Sequence, residues 1–210
     1  STGIEPTAGA AAIARKSGLE TVEAFLTLES VDALVASGLE ADLLVANNVL
    51  AHVPDIVGFA TACRRLLADD GVSSFEFQYL GELISQTEFD TIYHEHFSYL
   101  SLTAAEAVLE AAGLTVFEVE RLTTHGGSLR VYAQVAGGRG LPVARSVDLL
   151  RAEEAELGLR TSFFYSGFQP RVNLIRDQLR SFLIDARKEG RTVVGYGAAA
   201  KGNTLLNYAG

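Results

Sequence analysis

The alternation of short apolar runs with amphipathic segments constrains the fold of this chain more than any other feature. The runs are typical of buried strands, and the amphipathic segments repeat apolar residues at helical spacing. In the first half, predicted strands end at Ile4 and span residues 20–26, 42–46 and 72–77, and predicted helices span residues 7–16, 28–37 and 55–68. This order predicts an α/β fold with a parallel sheet and helices on both faces.

The second half of the chain adds a reversed strand. Residues 103–113 read as a helix opened by a capping box, with Thr103 as the cap and Glu106 as its partner. Strands follow at residues 114–121 and 129–135, and their short connection indicates antiparallel neighbours. We therefore expect a mostly parallel sheet with one reversed strand near its end.

A glycine-rich linker at residues 137–140 indicates a domain boundary after residue 136. Beyond it we predict helices at residues 143–159 and 170–188 and a strand at residues 192–196.

Composition and charge exclude several classes of protein. The 210 residues carry a net charge of -9, which disfavours nucleic acid and anionic membranes as partners. The single cysteine, Cys63, excludes a disulfide within the chain and a cysteine-based zinc site, and its helical surroundings predict a core thiol. No apolar run approaches about 20 residues and no signal-peptide pattern is present, so a cytoplasmic enzyme fits the sequence best.

Four consecutive side chains mark the candidate active centre, namely Tyr93, His94, Glu95 and His96. They include two of the four histidines in the protein, and an imidazole titrates near neutral pH, as proton transfer requires. The cluster follows a strand of the predicted sheet, at the edge where α/β sheets bind their ligands.

Polar side chains also follow the buried strand at residues 42–46. Asn48 and His52 lie just beyond its end, which predicts a ligand crevice there. An ordinary loop histidine is the alternative for His52.

Two further regions of the chain are candidates for binding ligands. Glu5 stands at a strand end just before a helix, where a carboxylate can accept hydrogen bonds from ribose hydroxyls, although a surface glutamate is an equal alternative. Gly197, Ala199, Lys201 and Gly202 lie in a turn from strand to helix that could hold phosphate oxygens. The spacing is not that of a Walker motif, and a plain tight turn is the rival interpretation.

Four motifs in the same order resemble the nucleotide-sugar C-methyltransferases. They are Asn48-Val-Leu-Ala-His52, Tyr93-His-Glu-His96 with Phe97-Ser-Tyr-Leu, His125-Gly-Gly-Ser-Leu-Arg130 and Gly195-Tyr-Gly-Ala-Ala-Ala-Lys-Gly202. The resemblance implies an S-adenosylmethionine-dependent enzyme that adds a carbon-linked methyl group to a 4-keto TDP-deoxysugar, at C3, in antibiotic biosynthesis. It also implies a class I methyltransferase Rossmann-like sheet at residues 1–136 and the start of a second, nucleotide-binding Rossmann-like domain at residues 137–210.

The resemblance implies a role for each cluster. His96 is expected to be the catalytic base, with Tyr93 and Glu95 orienting it or the keto sugar. His52 is expected to contact the sugar or the developing oxyanion.

The same resemblance implies how the ligands are bound. Glu5 and Asn48 are expected to bind the cofactor, with Glu5 on its ribose. Lys201 and the turn of Gly197, Ala199 and Gly202 are expected to face the diphosphate of the nucleotide sugar.

The chain also departs from the family pattern. The cysteines of the family's N-terminal zinc domain are absent, and so are the first strand of the sheet and its glycine-rich loop. The chain therefore resembles the central part of a family member, with zinc expected only in the absent domain and with weak cofactor binding by this part alone. The sequence does not indicate an oligomeric state.

Two alternatives remain open at this point. In a metal-dependent hydrolase, His94 and His96 would share one side of an extended segment, and His52, His125 or Glu95 would complete the site. The other alternative is a nucleotide-binding module without catalysis.

Overall fold

The centre of the molecule is a mixed four-stranded sheet. The structure, a computed structural model, describes residues 1–197 and 200–210. Across the sheet the strands lie in the order β3 (Ala41–Asn47), β4 (Leu67–Gln78), β6 (Ser128–Val135) and β5 (Leu114–Leu122). β3 and β4 are parallel, whereas β6 is antiparallel to both β4 and β5. The predicted α/β fold and its reversed strand are confirmed.

Helices from both halves of the chain pack into one core with this sheet. They are α3 (Ile56–Leu66), α5 (Leu102–Ala111) and α6 (Arg145–Leu157), and α4 (Leu80–Gln86) follows directly after β4. The side chains of β4 and β6 supply the centre of the core with Phe75, Phe77, Leu129 and Val131. Cys63 on α3 is fully buried there, and burial raises the pKa of its thiol to about 12. It is a core thiol, as predicted.

The first two strands form a separate pair, which corrects the expectation of a single sheet. β1 (Thr2–Ile4) and β2 (Glu20–Val22) are parallel to each other, and α1 (Ala8–Lys16) connects them. Helix α2 (Leu28–Ala36) follows and packs against α3 through Val31, Leu34, Ala62 and Leu66. Among the described residues, β1 and β3 belong to different sheets and do not pair with each other.

The start of α5 differs from the predicted capping box. Ser101, not Thr103, caps the helix, and its hydroxyl accepts a hydrogen bond from Ala104 N–H (3.1 Å). The backbone N–H groups of Leu102 (2.6 Å) and Thr103 (2.9 Å) donate instead to the carboxylate of Glu154 on α6. Glu154 is almost fully buried, and the unpaired N–H groups of a helix start stabilise a negative charge there.

The C-terminal part is helical and lies against the turn that follows α4. Its elements are α7 (Ser162–Tyr165), α8 (Phe168–Lys188) and α9 (Ala200–Ala209). Arg171 on α8 donates from Nε to the Thr87 hydroxyl (2.8 Å) and from a terminal nitrogen to the carbonyl of Ile84. Tyr208 on α9 packs on Phe89, with ring centroids 5.3 Å apart. None of the described helices is both long and apolar enough to cross a membrane.

Residues 192–196 are not a strand, contrary to the prediction. Val194 is 83% exposed and Tyr196 is fully exposed, and no described strand lies beside them. An apolar run becomes a strand only when a neighbour takes up its backbone hydrogen bonds, and the sequence pattern does not report that neighbour.

Candidate active site

A small cavity brings together side chains from four distant parts of the chain. We call this space of about 100 Å³ the histidine cavity. It lies at the carboxyl ends of β3 and β4, and its lining includes Asn48, His52, Tyr93, His96, His125 and Lys201. Six polar residues singled out from the sequence therefore surround one space.

Backbone contacts hold the two histidine segments against each other. The N–H of Phe97 donates to the carbonyl of Ala51 (2.8 Å), which joins the segment after His96 to the 3₁₀ turn Leu50–His52. Leu50 is fully buried and anchors that turn in the core. The rings of His52 and His96 consequently lie with their centroids 4.7 Å apart, edge to face.

Hydrogen bonds determine which ring nitrogen of His96 carries the proton. Nδ1 lies 2.9 Å from the carbonyl oxygen of Thr91, which can only accept a hydrogen bond, so Nδ1 is the protonated nitrogen of the neutral ring. Nε2 then carries the lone pair of the ring, and this lone pair accepts a hydrogen bond from the hydroxyl of Tyr93 (3.1 Å). His96 is therefore arranged to accept a proton at Nε2.

His52 is held in the same way. Its Nδ1–H donates to the carbonyl oxygen of Glu95 (3.0 Å), which leaves Nε2 as an acceptor. With Nδ1 as the donor, Nε2 of the neutral ring form can accept a hydrogen bond from a ligand hydroxyl.

The surroundings keep His96 neutral. Burial is the largest cause that lowers its pKa, and the charges of His52 and Lys201 act in the same direction, against the Thr91 carbonyl and Glu95. Burial also raises the pKa of Tyr93, and the negative charge of Glu95 adds to that rise. The pair is therefore a neutral phenol that donates to a neutral imidazole, which favours His96 over Tyr93 as the base.

Two residues of the sequence cluster do not place their side chains at the cavity. His94 is exposed and does not line the cavity. The exposed Glu95 contributes its backbone carbonyl, and its side chain is not part of the lining. Within residues 1–197 and 200–210, no three His, Cys, Asp or Glu side chains are placed to hold a metal ion, so the metal-hydrolase alternative lacks a donor set there.

A larger hollow of about 990 Å³, which we call the groove, adjoins the cavity. Strands β1 and β3 line it, together with Glu5, Asn48 and His52. One carboxylate oxygen of Glu5 accepts a hydrogen bond from Thr7 N–H (2.7 Å) at the entry to α1. Asn48, which has a positive φ of 54°, and His52 line both spaces. The groove and the histidine cavity therefore meet at these two side chains.

Of the Gly-rich segment predicted to hold phosphate, Lys201 reaches the site. Lys201 is half-buried at the start of α9 and lines the histidine cavity. Gly197 and Gly202 are exposed, and Ala199 lies outside the described residues.

Sequence reasoning missed Thr91, whose carbonyl determines the tautomer of His96. It is fully buried in the 3₁₀ turn Phe89–Thr91. Every residue has a backbone carbonyl, so residue type does not show which carbonyl accepts a hydrogen bond. No signal in a single sequence could therefore have identified Thr91.

Comparisons with known proteins give the family. The family described as "Methyltransferase domain" matches residues 1–119, and the one described as "C-methyltransferase C-terminal domain" matches residues 123–210. The chain belongs to the methyltransferase-domain family. The expected S-adenosylmethionine-dependent methyltransferase is thereby confirmed at the level of the family and its cofactor.

One curated relative and two solved structures illustrate the likeness. The C-methyltransferase NovU of Streptomyces niveus is 36% identical over 208 residues, which cover 99% of this chain and 49% of NovU. The chain thus spans about half the length of this relative.

The first structure is a methyltransferase from Thermotoga maritima, described as a possible histamine N-methyltransferase, with a TM-score of 0.49 and 17% identity over 63% of this chain and 72% of that one. The second is the N-methyltransferase NodS of Bradyrhizobium japonicum in complex with S-adenosyl-L-homocysteine. Its TM-score is 0.45, and it is 16% identical over 64% of this chain and 65% of that one. Because both TM-scores lie below 0.5, the family assignment depends on the sequence matches.

Proposed function

We propose that this chain is the catalytic part of an enzyme that methylates a carbon next to a ketone in a nucleotide sugar. The observation that carries the proposal is the junction of the groove and the histidine cavity at Asn48 and His52. A methyl donor in the groove and a carbon acid in the cavity would come into contact there. Holding two reactants in this way accounts for much of the catalysis of such a transfer.

The groove suits S-adenosylmethionine. Its volume of about 990 Å³ is at the upper end of the roughly 300–1,000 Å³ typical of ligand sites. Glu5 uses one carboxylate oxygen on Thr7, and the other can accept from ribose hydroxyls, while Asn48 offers an amide at the junction. When bound, the cofactor supplies an electrophilic methyl group.

His96 would remove the proton from the substrate carbon. Nε2 is the unprotonated nitrogen of its ring, and the lowered pKa favours the neutral ring near neutral pH. Tyr93 donates to the same nitrogen and orients it, and the Glu95 carbonyl orients His52. Of the two roles considered for His52, contact with a sugar hydroxyl fits its acceptor at Nε2 better than contact with an oxyanion does.

Lys201 would bind an anionic oxygen of the substrate. Its ammonium group supplies a local positive charge at the cavity of a protein whose net charge is -9. We assign it to the diphosphate, together with the turn of Gly197, Ala199 and Gly202.

The proposal extends to the substrate, the methylated carbon, the pathway and the domain division. We assign a 4-keto TDP-deoxysugar as the substrate, C3 as the carbon that is methylated through an enolate, and antibiotic biosynthesis as the pathway. We place the domain boundary near residue 136. The match to a relative named as a C-methyltransferase supports carbon as the acceptor.

A panel of 4-keto TDP-deoxysugars tests the proposal. The full-length protein is incubated in deuterium oxide with each sugar, with and without S-adenosylmethionine, and the products are analysed by mass spectrometry. We expect deuterium uptake next to the ketone without the cofactor, and the added mass of one methyl group with it. A full-length protein that produces neither change with any keto sugar would refute the proposal.

A further inference from the structure

Hydrogen bonds connect Nδ1 of His96, through Thr91, to the end of strand β4. Besides the carbonyl, the hydroxyl oxygen of Thr91 lies 3.4 Å from His96 Nδ1, and this hydroxyl is bonded to Gln78 at the end of β4. We propose that Gln78 and Thr91 are positioning residues: by dictating the direction of the Thr91 hydroxyl, they reinforce the tautomer of His96 that the Thr91 carbonyl favours. The catalytic consequence depends on the proposed role of His96 as base, whereas the tautomer itself does not.

The amide of Gln78 has only one possible orientation. One amide end lies 2.7 Å from a carboxylate oxygen of Glu88 and 3.2 Å from the carbonyl oxygen of His125. Both groups only accept hydrogen bonds, so this end must be the NH₂ group. The other end, Oε1, therefore faces Thr91 as an acceptor.

The orientation of Gln78 sets the direction of the next hydrogen bond. The Thr91 hydroxyl lies 2.6 Å from Gln78 Oε1, and only the hydroxyl can donate in this pair. Once its single proton is committed to Gln78, Thr91 Oγ1 can offer only lone pairs to His96 Nδ1. Both oxygens of Thr91 then favour a proton on Nδ1, and Nε2 stays unprotonated.

The glycines of the His125-Gly126-Gly127 motif provide the space for this network. Gly126 has a positive φ of 85°, and a Cβ at that position would collide with the carboxylate of Glu88. Glu88 could then not reach Gln78 from its present position. This gives the motif a role in the site through Glu88 and the His125 carbonyl.

The proposal predicts an unusual pattern among three variants. In Gln78→Leu the Thr91 hydroxyl loses its acceptor and can donate to Nδ1, which stabilises the tautomer protonated at Nε2. In Thr91→Val that hydroxyl is absent and the carbonyl alone keeps the proton on Nδ1. The double variant should therefore recover the tautomer that Gln78→Leu loses, a strong departure from additivity.

Nitrogen NMR of the histidine rings measures the tautomer directly. The chain is labelled with ¹⁵N at histidine, and the His96 signals are assigned by their loss in His96→Asn. In the unmodified protein we expect a pyrrole-like Nδ1 and a pyridine-like Nε2. Gln78→Leu should move Nε2 towards the pyrrole-like frequency, while Thr91→Val, Thr91→Ser and the double variant should leave it pyridine-like.

Proton exchange at the sugar carbon provides the functional measurement in the full-length protein. Gln78→Leu should lower its rate roughly 10- to 100-fold, the usual effect of losing a partner that orients an imidazole, and adding Thr91→Val should restore most of the rate. The matched control is Gln134→Leu, because Gln134 is also buried on a central strand with its amide bonded to the main chain of Leu141 (2.8 Å twice). It should leave the His96 tautomer unchanged.

Two outcomes would overturn the proposal. One is an unmodified protein with the proton on Nε2, and the other is a Gln78→Leu variant that keeps its tautomer. If Gln78→Leu does not fold, an Nε2-protonated ring in Thr91→Val alone is enough to contradict it. A correct tautomer pattern without exchange on any keto sugar would refute the proposed reaction and leave the positioning role intact.

Discussion

The histidine cavity and the groove are built in opposite ways. In the cavity, both imidazoles have a fixed tautomer, and the hydroxyl of Tyr93 has a defined acceptor. The groove is lined by the open edge of β3, where Leu43 and Val45 are more than half exposed. The contrast indicates that the groups proposed for proton transfer are preorganised, whereas the wall of the groove is not closed by the described strands.

The largest effect is expected from a substitution that removes the proposed base of the histidine cavity. His96→Asn, similar in size but unable to act as a base, should lower turnover of the full-length protein by about 10²- to 10⁴-fold. Binding of substrate and cofactor should change little, because the imidazole acts mainly in the transition state. The exposed neighbour provides the control, since His94→Asn should remain close to normal. Near-normal turnover in His96→Asn, with its loss in Tyr93→Phe or His52→Asn, would assign the base to another residue.

The next largest effect is expected from a substitution in the groove, on cofactor binding. Glu5→Gln keeps the oxygen that accepts from Thr7 but removes the charge, so we expect roughly 10- to 100-fold weaker cofactor binding by calorimetry, as for the loss of a hydrogen bond to a charged group. Proton exchange at the sugar carbon should be unaffected. Glu29→Gln, an exposed change on α2, is the control. Equal affinities in the two variants would remove Glu5 from the cofactor site.

The pH dependence of exchange sharpens the comparison. The pKa of His96 is lowered by burial, with His52 and Lys201 acting in the same direction and Glu95 opposing them. The acid limb of the exchange rate should therefore lie below about pH 6.5, the usual value for histidine. The same shift affects the free energy of unfolding. Below about pH 6.5 the unfolded chain binds the proton more readily than the folded chain does, so acidification through this range destabilises the fold. An acid limb above pH 6.5 would contradict the lowered pKa of the half-buried His96.

The smallest expected effect concerns Lys201. Its positive charge is a minor cause of the lowered pKa of His96, so Lys201→Ala should raise that pKa slightly in an NMR titration of the free protein. Lys188→Ala removes an equivalent charge that pairs with Asp185 on the surface of α8, and it should have no effect. If both variants titrate alike, the ammonium of Lys201 does not act on the cavity.

The sequence predicted the periodic parts of the fold and not the contacts between distant parts. Strands β3, β4, β5 and β6 follow from apolar runs, and the reversal of β6 follows from its short connection to β5. The cap of α5 was predicted at Thr103, but the partner of Thr103 is a carboxylate 51 residues away. The strand at residues 192–196 was wrong because strand formation depends on a neighbour.

The candidate site shows the same limit. Residue type and the strand-end position were enough to propose Asn48, His52, Tyr93, His96 and Lys201, which the structure gathers around one cavity. His94 is exposed whereas His96 is half-buried, and residue type does not report this difference. Residue type also gives no sign of the part played by Glu95, because Glu95 acts through its backbone carbonyl, a group that every residue has.

The carboxylate of Glu154 has a consequence for how such proteins can be inherited. The two family matches divide the chain between residues 119 and 123, inside the β5–β6 hairpin, yet Glu154 from the second segment completes the first turn of α5 in the first. A recombination event at this junction would have to deliver a compatible hairpin strand and an acidic residue at this place on α6 together. A recombinant without the compatible strand would lack the β5–β6 pairing. A recombinant without the acidic residue would leave the N–H groups at the start of α5 unpaired. The two segments are therefore expected to have been passed on as a unit.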